Sequence, residues 1–422
     1  MRVRGRIRVP GDKSISHRAL MLASLADGRS RIRGILESDD VRSTAGALRS
    51  LGVALPEVTA EIVVAGVGLR GLRPSDRDVE CGNSGTTARL MSGIAAAVPA
   101  RTRFIGDASL SRRPMRRVAE PLSAMGARVE MEKGDGLPMV VHGGALRPID
   151  WTTQTASAQV KSAILLAGLV GGVCVTVREP ARSRDHTERL LSSAGADVVS
   201  IHEGDAWRVT LHAGDRIDCL DLTVPGDASS AAFFVAAGLL ADEGELVIHD
   251  VCANETRSGF LSAVQRMGGR VSVEGVVEQG GEPVGTLRIL PSRLTAIEIA
   301  GGDIPALIDG LPMLACLASR AEGRTLIAGA AELRVKESDR IRLVVDNLRA
   351  IGASAEERAD GMVVQGSDAP LRGRIRTEGD HRIAMAFGVL SARHGGAVAI
   401  DDRGCVAVSY PGFWRDLDEV TG

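Results

Sequence analysis

The run Val118-Ala119-Glu120-Pro121-Leu122-Ser123-Ala124-Met125-Gly126-Ala127-Arg128-Val129-Glu130-Met131 holds in miniature the unit from which the chain is built. Val118, Leu122 and Met125 recur at helical spacing. A glycine directly after the last apolar turn is a helix C-terminus signal. Arg128–Met131 then alternates like a half-buried strand, as does Ala206–Leu211. The same phrase returns as Leu51-Gly52-Val53, Ala194-Gly195-Ala196-Asp197-Val198, Met267-Gly268-Gly269-Arg270-Val271 and Ile351-Gly352-Ala353. The copies stand about 70 to 85 residues apart, a period that must be recognised before any fold is assigned. Gly396–Ile400 followed by Phe413–Leu417 fits a truncated sixth copy. Units this long are not solenoid repeats. They imply an α/β chain of two pseudo-symmetric domains with three units each. The turn-rich stretch Thr223-Val224-Pro225-Gly226-Asp227 marks the break. A strand at Val3–Val9, ending in Pro10-Gly11-Asp12, supplies the later half with a strand it otherwise lacks. The expected domains are therefore 12–224 and 1–11 plus 225–422, with an active site in the cleft between them, where small-molecule sites commonly lie.

Composition narrows the function classes. The 422 residues carry 51 Lys+Arg against 53 Asp+Glu, a net charge of −2, which argues against a general nucleic-acid binder. Aromatics make up only 2%, too few for base- or sugar-stacking platforms. The most apolar run, Ala231–Leu240, is half of the roughly 20 residues a membrane helix needs. Met1–Arg6 has no signal-peptide core. The six cysteines stand singly with no CxxC pair and no zinc spacing. A reduced, cytoplasmic, monomeric protein without a metal, membrane or nucleic-acid partner is expected.

The informative charges stand at helix starts, which are electropositive and normally take acids. Here cations precede the helical runs. Lys13–Arg18 precedes Ala19–Leu22, and Arg112-Arg113-Pro114 precedes Met115–Met125, with proline suited to the first helical position. Arg182–Thr187 precedes Glu188–Ser193, Lys336–Arg340 precedes Ile341–Ile351, and Asp380-His381-Arg382 precedes Ile383–Leu390. Each such cation costs about 0.3–1 kcal/mol. One alone reads as a solvated arginine; five together point to anionic ligands. The Gly/Ser/Thr stretch Cys81–Arg89, running into Leu90–Ala97, offers backbone amides to phosphate or carboxylate, although Gly-Asn-Ser-Gly is also an ordinary turn. It is not a P-loop. Glu337, beside Lys336 and three residues before Arg340, reads as ionised unless it is buried. Asp309 is a lone carboxylate in the apolar run Asp303–Met313, where isolation would raise its pKa. The alternative for Asp309 is a helix cap before Gly310-Leu311-Pro312. His17, His186 and His381 accompany the cationic clusters; the other five histidines fall in strand or turn contexts.

Four motifs in one order, Val9–Arg18, Gly82–Arg89, Arg334–Arg340 and Asp380–Arg382, resemble the hallmarks of the 5-enolpyruvylshikimate-3-phosphate synthases, and the likeness spans the chain. The resemblance implies two domains of three βαβαββ units, with helix N-termini directed at the interdomain cleft. It implies transfer of the enolpyruvyl group of phosphoenolpyruvate to the 5-hydroxyl of shikimate 3-phosphate, through a tetrahedral ketal and without any cofactor. Carried over by motif, Lys13, Ser14, Arg18, Ser157, Ala158, Gln159, Arg184, Asp309 and Lys336 would bind shikimate 3-phosphate. Lys13, Gly85, Arg113, Gln159, Arg340 and Arg382 would hold phosphoenolpyruvate. Asp309 resembles the base and Glu337 the acid, with Lys13 and Lys336 also catalytic. Arginine suits this work because its planar fork matches two oxygens of a carboxylate or phosphate.

Two departures make the chain resemble the family's second branch. The first branch carries a C-terminal lysine where Val408 stands, and a serine where Ala158 stands. Some second-branch members tolerate glyphosate through an alanine at the position of Gly85. The related enolpyruvyl transfer to UDP-N-acetylglucosamine fits less well, because Asp107–Arg113 lacks the reactive cysteine of that enzyme. A non-catalytic or nucleic-acid-processing relative is disfavoured by the charge and the missing aromatics.

Overall fold

The computed structural model describes residues 1–75, 77–204 and 206–422. In chain order its elements are β1 (Arg2–Ile7), α1 (Lys13–Leu25), β2 (Arg29–Arg33), α2 (Asp39–Ser50), β3 (Glu61–Ala65), β4 (Val79–Glu80), α3 (Gly85–Ala96), β5 (Arg101–Ile105), α4 (Arg116–Ala124), β6 (Arg128–Met131) and β7 (Met139–His142). Then follow β8 (Ile149–Thr152), α5 (Ala158–Gly171), β9 (Val175–Glu179), α6 (His186–Ser193), β10 (Val198–Glu203), β11 (Ala206–Leu211) and β12 (Asp221–Thr223). The remainder is α7 (Ala228–Leu239), β13 (Glu243–Cys252), α8 (Gly259–Arg266), β14 (Arg270–Gln279), β15 (Glu282–Leu290), β16 (Glu298–Ile299), α9 (Ile304–Leu307), α10 (Leu311–Ala318) and β17 (Arg324–Ile327). It closes with α11 (Arg340–Ala350), β18 (Ser354–Arg358), β19 (Gly361–Gln365), β20 (Gly373–Ile375), α12 (His381–Arg393), β21 (Val398–Ile400) and α13 (Phe413–Thr421).

Among the described residues six small sheets repeat one topology. The orders β4-β5-β7-β6, β8-β9-β11-β10, β1-β13-β15-β14 and β16-β17-β19-β18 are complete; β12-β2-β3 lacks a strand, and β20-β21 is the truncated copy. In each, the first two strands are parallel, as β8 and β9 or β1 and β13 show. A parallel pair requires a crossover; where the two strands follow one another in the chain, as β4 and β5, β8 and β9, β16 and β17 or β20 and β21 do, the first helix of the unit provides it, whereas β1 and β12 come from distant parts of the chain. The recurring glycine ends the second helix: Gly126 has φ 113°, and Gly52, Gly195, Gly268 and Gly352 likewise lie between 79° and 93°. Only glycine enters that region without strain, so the helix can stop and the next strand begin.

Burial separates the two helices of a unit. The first helices, such as α5 and α7, are apolar all round and buried along nearly their whole length. The second helices are amphipathic: α4 buries Val118, Ala119, Pro121 and Leu122 and exposes Arg116 and Glu120. The scarce aromatics are mostly structural. Phe233, Phe234, Tyr410, Phe413 and Trp414 pack edge-on or tilted at 4.9–5.8 Å around α7 and α13. Each buried ring of this kind contributes about 1.5–3 kcal/mol.

Two compact units result. One comprises Met1–Pro10, Pro225–Val277 and Pro283–Gly422; the other comprises Gly11–Val224 with Glu278–Glu282. The first strand of each three-repeat set is borrowed in sequence: β1 completes the sheet of β13, and β12 pairs with β2. The second of these pairings has no counterpart in the sequence reading.

Several boundaries differ from the sequence expectation, and at α1, α3 and α12 a side chain caps the helix earlier. α1 begins at Lys13, not Ala19, since Asp12 Oδ1 accepts the Ile15 amide at 3.0 Å. α3 begins at Gly85, since Ser84 Oγ accepts the Thr87 amide at 3.1 Å. α6 starts at His186 and α12 at His381. Pro114 precedes α4 instead of opening it; the Met115 and Arg116 amides go to Asp135 Oδ1 at 3.1 and 2.6 Å. β1 stops at Ile7, two residues before Val9 and Pro10, where the ladder ends.

Candidate active site

In the unit Gly11–Val224, the expected residues sit on the opening turns of helices or just before them. Lys13, Ser14 and Arg18 line the start of α1. Lys13 Nζ donates to Asp40 Oδ2 at 2.8 Å. Arg18 is buried and bridges three segments: Nε donates to Thr187 Oγ1 at 2.6 Å, Nη2 to Ser162 Oγ at 2.8 Å and Nη1 to the Ser14 carbonyl at 2.9 Å. It thereby ties α1 to α5 and α6. Ser157 caps α5 and is followed by Ala158 and Gln159. Gln159 is held at both ends, its Oε1 by Arg89 Nη1 at 2.6 Å and its Nε2 on Thr86 Oγ1 at 2.9 Å. Arg113 donates to the Asn83 carbonyl at 3.1 Å and to Asn83 Oδ1 at 2.5 Å, beside Gly85. Arg184 is half-buried, one residue after the buried Ser183 and immediately before the α6 cap. His17 is buried, its Nδ1 2.6 Å from Thr44 Oγ1. Burial first, then Lys13 and Arg18, lower its pKa well below the usual value.

In the other unit, Arg340 is the hub. Its side chain is 1% exposed. Nε donates to Asp380 Oδ2 at 2.8 Å, and Nη2 to Asp380 Oδ1 at 3.2 Å and Glu337 Oε2 at 2.5 Å. Nη1 makes no hydrogen bond and lies 3.6 Å from Asp309 Oδ1. Arg382, also buried, donates to the Asp309 carbonyl at 3.2 Å, with Nε 3.7 Å from Asp309 Oδ1. Burial lowers the Lys336 ammonium below its ordinary value, with Asp309 and Glu332 opposing. Thus Asp309, Glu337, Lys336, Arg340 and Arg382 form one cluster. The expectation of an isolated Asp309 in an apolar run does not hold, because two guanidinium groups contributed by α11 and α12 flank it. It is not a helix cap either: α10 is capped at Gly310.

The EPSP synthase family model, 3-phosphoshikimate 1-carboxyvinyltransferase, matches residues 1–417. The chain belongs to the EPSP synthase family. Curated 3-phosphoshikimate 1-carboxyvinyltransferases are similar over nearly its whole length. That of Sulfurihydrogenibium sp. is 44% identical over 100% of this chain and 98% of the relative. That of Halorhodospira halophila is 47% identical over 97% and 92%. Among solved structures, EPSP synthase of Acinetobacter baumannii superposes with a TM-score of 0.85 at 37% identity, covering 99% of this chain and 96% of that one. The enolpyruvyl transferase NikO of Streptomyces tendae, at 20% identity and a TM-score of 0.75, shares the fold. The chain is therefore a carboxyvinyl-transferring enzyme of the shikimate pathway with the enolpyruvyl transferase fold, and the UDP-N-acetylglucosamine alternative is not favoured.

Against the family motifs, the structure adds partners that sequence reasoning left without a role. Acids do stand at the helix starts, as caps: Asp12, Asp339 and Asp380 each accept an amide of the first turn, and the cations follow them. Asp40, Arg89 and Thr86 hold Lys13 and Gln159. A buried group of Lys161, Glu179 and Glu188 lies behind Ser157 and Arg184. The available signal was Lys161 itself, a lone cation in the apolar helix α5. Val408 lies half-buried in a short 3₁₀ turn, Gly404–Val408. Among the described residues no group of three or more His, Cys, Asp or Glu could hold a metal ion. No single described helix is long and apolar enough to cross a membrane.

Proposed function

We propose that the two clusters serve one reaction, transfer of the enolpyruvyl group of phosphoenolpyruvate to the 5-hydroxyl of shikimate 3-phosphate. Lys13, Ser14, Arg18, Ser157, Ala158, Gln159, Arg184, Asp309 and Lys336 bind shikimate 3-phosphate. Lys13, Gly85, Arg113, Gln159, Arg340 and Arg382 bind phosphoenolpyruvate. The observation that carries this reading is Arg340: a buried guanidinium whose Nη1 has no hydrogen-bond acceptor, set between the carboxylates of Asp309 and Glu337. A phosphoenolpyruvate oxygen would complete it, since buried donors require partners.

The chemistry follows from that placement. Asp309, flanked by Arg340 and Arg382, is suited to take the proton of the 5-hydroxyl as its oxygen attacks C2 of phosphoenolpyruvate. The methylene carbon gains a proton from Glu337, giving the tetrahedral ketal. Glu337, now a carboxylate, then takes back a methyl proton as the C2–O bond to phosphate breaks and its electron pair leaves with phosphate, which restores the double bond as the enol ether. Glu337 accepts a hydrogen bond from Arg340 here; an anionic ligand competing for that guanidinium would release the carboxyl for proton transfer. Lys13, Lys336, Arg113 and Arg382 compensate the charge of phosphate as it leaves. The same reading includes a cytoplasmic monomer needing no cofactor.

Phosphate release from phosphoenolpyruvate tests it. Release should require shikimate 3-phosphate, should not occur with UDP-N-acetylglucosamine, and should be unchanged by a chelator. Equal release without shikimate 3-phosphate would overturn the reading.

A further inference from the structure

Glu179 ends β9, on the face that also buries Val175 and Val177. The two-residue period of a strand thus aims a carboxylate into the core. Such a group is costly unless its oxygens are satisfied. Here each donor comes from a segment that carries an expected ligand contact. The Ser157 amide donates to Oε1 at 3.1 Å, fixing the residue that caps α5. Ser183 Oγ lies 2.7 and 2.8 Å from the two oxygens, fixing the residue next to Arg184. Lys161 Nζ donates to Oε2 at 2.8 Å, and also lies 2.8 Å from Glu188 Oε1 on α6 and 3.5 Å from the Ser183 carbonyl. The side chains of Lys161, Glu179 and Glu188 are 2%, 0% and 6% exposed. Burial would lower the Lys161 ammonium, but Glu188 and Glu179 raise it; burial pushes the Glu188 carboxyl up against the pull of Lys161.

We propose that Glu179, held by Lys161, is a positioning residue for shikimate 3-phosphate: it sets the start of α5 and the segment before α6 so that Ser157, Gln159 and Arg184 meet the same ligand. This rests on the reading that those three residues bind shikimate 3-phosphate. Stability alone gives no reason for the device, because a buried ion pair can often be replaced by apolar groups at no loss. What the carboxylate supplies is a fixed backbone amide and a fixed loop, and an error of about 1 Å in such placement can cost up to 10²-fold.

Steady-state kinetics of Glu179→Gln, Ser183→Ala, Arg184→Ala and the double variant Glu179→Gln/Arg184→Ala test the proposal. Glu179→Gln should raise the KM for shikimate 3-phosphate about tenfold and that for phosphoenolpyruvate less, the smaller rise coming through Gln159, which touches both ligands. The double variant should be worse than Arg184→Ala by less than the full effect of Glu179→Gln alone, because the carboxylate acts partly through that residue's segment and partly through the start of α5. Ser183→Ala, which leaves the Lys161–Glu179 pair intact, should show the same split at smaller size and carries the test if Glu179→Gln does not fold. Equal rises in both KM values, or an unchanged KM for shikimate 3-phosphate in both single variants, would overturn the positioning role. If Arg184→Ala also left that KM unchanged, the binding reading beneath the proposal would itself be overturned.

Discussion

Arg340 and its neighbours set the residue scale. Asp309 and Glu337 lie on either side of one guanidinium, and neither substitution to the amide alters size. Asp309→Asn and Glu337→Gln should each lower kcat by about 10²–10⁴-fold, the usual contribution of a positioned proton-transfer group. Binding of shikimate 3-phosphate, measured by calorimetry, should persist. Near-normal turnover in either variant would remove its assigned role. Gly85 poses a different question at the same scale. A Cβ there would stand 2.9 Å from Arg89 Nη1 and 3.4 Å from Arg113 Nη1. Both are ends of flexible side chains, so Gly85→Ala should fold, but it should displace Arg89 Nη1, the atom that holds Gln159. The family's inhibitor glyphosate occupies the phosphoenolpyruvate site. The wild type should be inhibited competitively with phosphoenolpyruvate, and Gly85→Ala should weaken inhibition more than it raises the KM for phosphoenolpyruvate. Inhibition curves of both proteins at matched phosphoenolpyruvate decide this; unchanged inhibition would place the pocket wall elsewhere.

At the scale of elements, the helix caps link fold to site. Asp380 accepts the Arg382 amide at 2.9 Å, the Ser338 hydroxyl at 3.0 Å and two nitrogens of Arg340. Burial would raise its pKa and Glu337 adds to that, but Arg340 and then His381 outweigh them, and the carboxyl lies below its ordinary value. A depressed carboxyl stabilises the fold above its unfolded pKa and loses that contribution as pH falls through the folded value. Asp380→Asn keeps the cap acceptor and removes the charge. It should cost about 3 kcal/mol, the low end for breaking a buried pair, since Glu337 and Asp309 remain beside Arg340. Thermal melts from neutral pH into acid should also show a flatter loss of stability than in the wild type. A variant as stable as the wild type at neutral pH would contradict this account.

At the scale of the whole molecule, β1 belongs in sequence to one end of the chain and in space to the sheet of β13, with Arg2–Ile7 in register with Glu243–Ile248. A chain of residues 225–422 alone would leave that edge of β13 unpaired, a template for aggregation. It should melt without a cooperative transition. Joining residues 1–10 after residue 422 through a Gly/Ser linker should restore one, as followed by circular dichroism; a cooperative melt without them would show that β1 is dispensable. Six units, the truncated last copy and the N-terminal strand were legible in the residues, because glycine at a left-handed helix end and the change from helical to alternating spacing are local properties. The four motifs were legible for the same reason, each lying within about ten consecutive residues. The pairing of β12 with β2, the two arginines around Asp309, and the Lys161–Glu179–Glu188 group were not. They join residues far apart in sequence, and which buried charge meets which is decided only when packing excludes water and every polar group must find its partner.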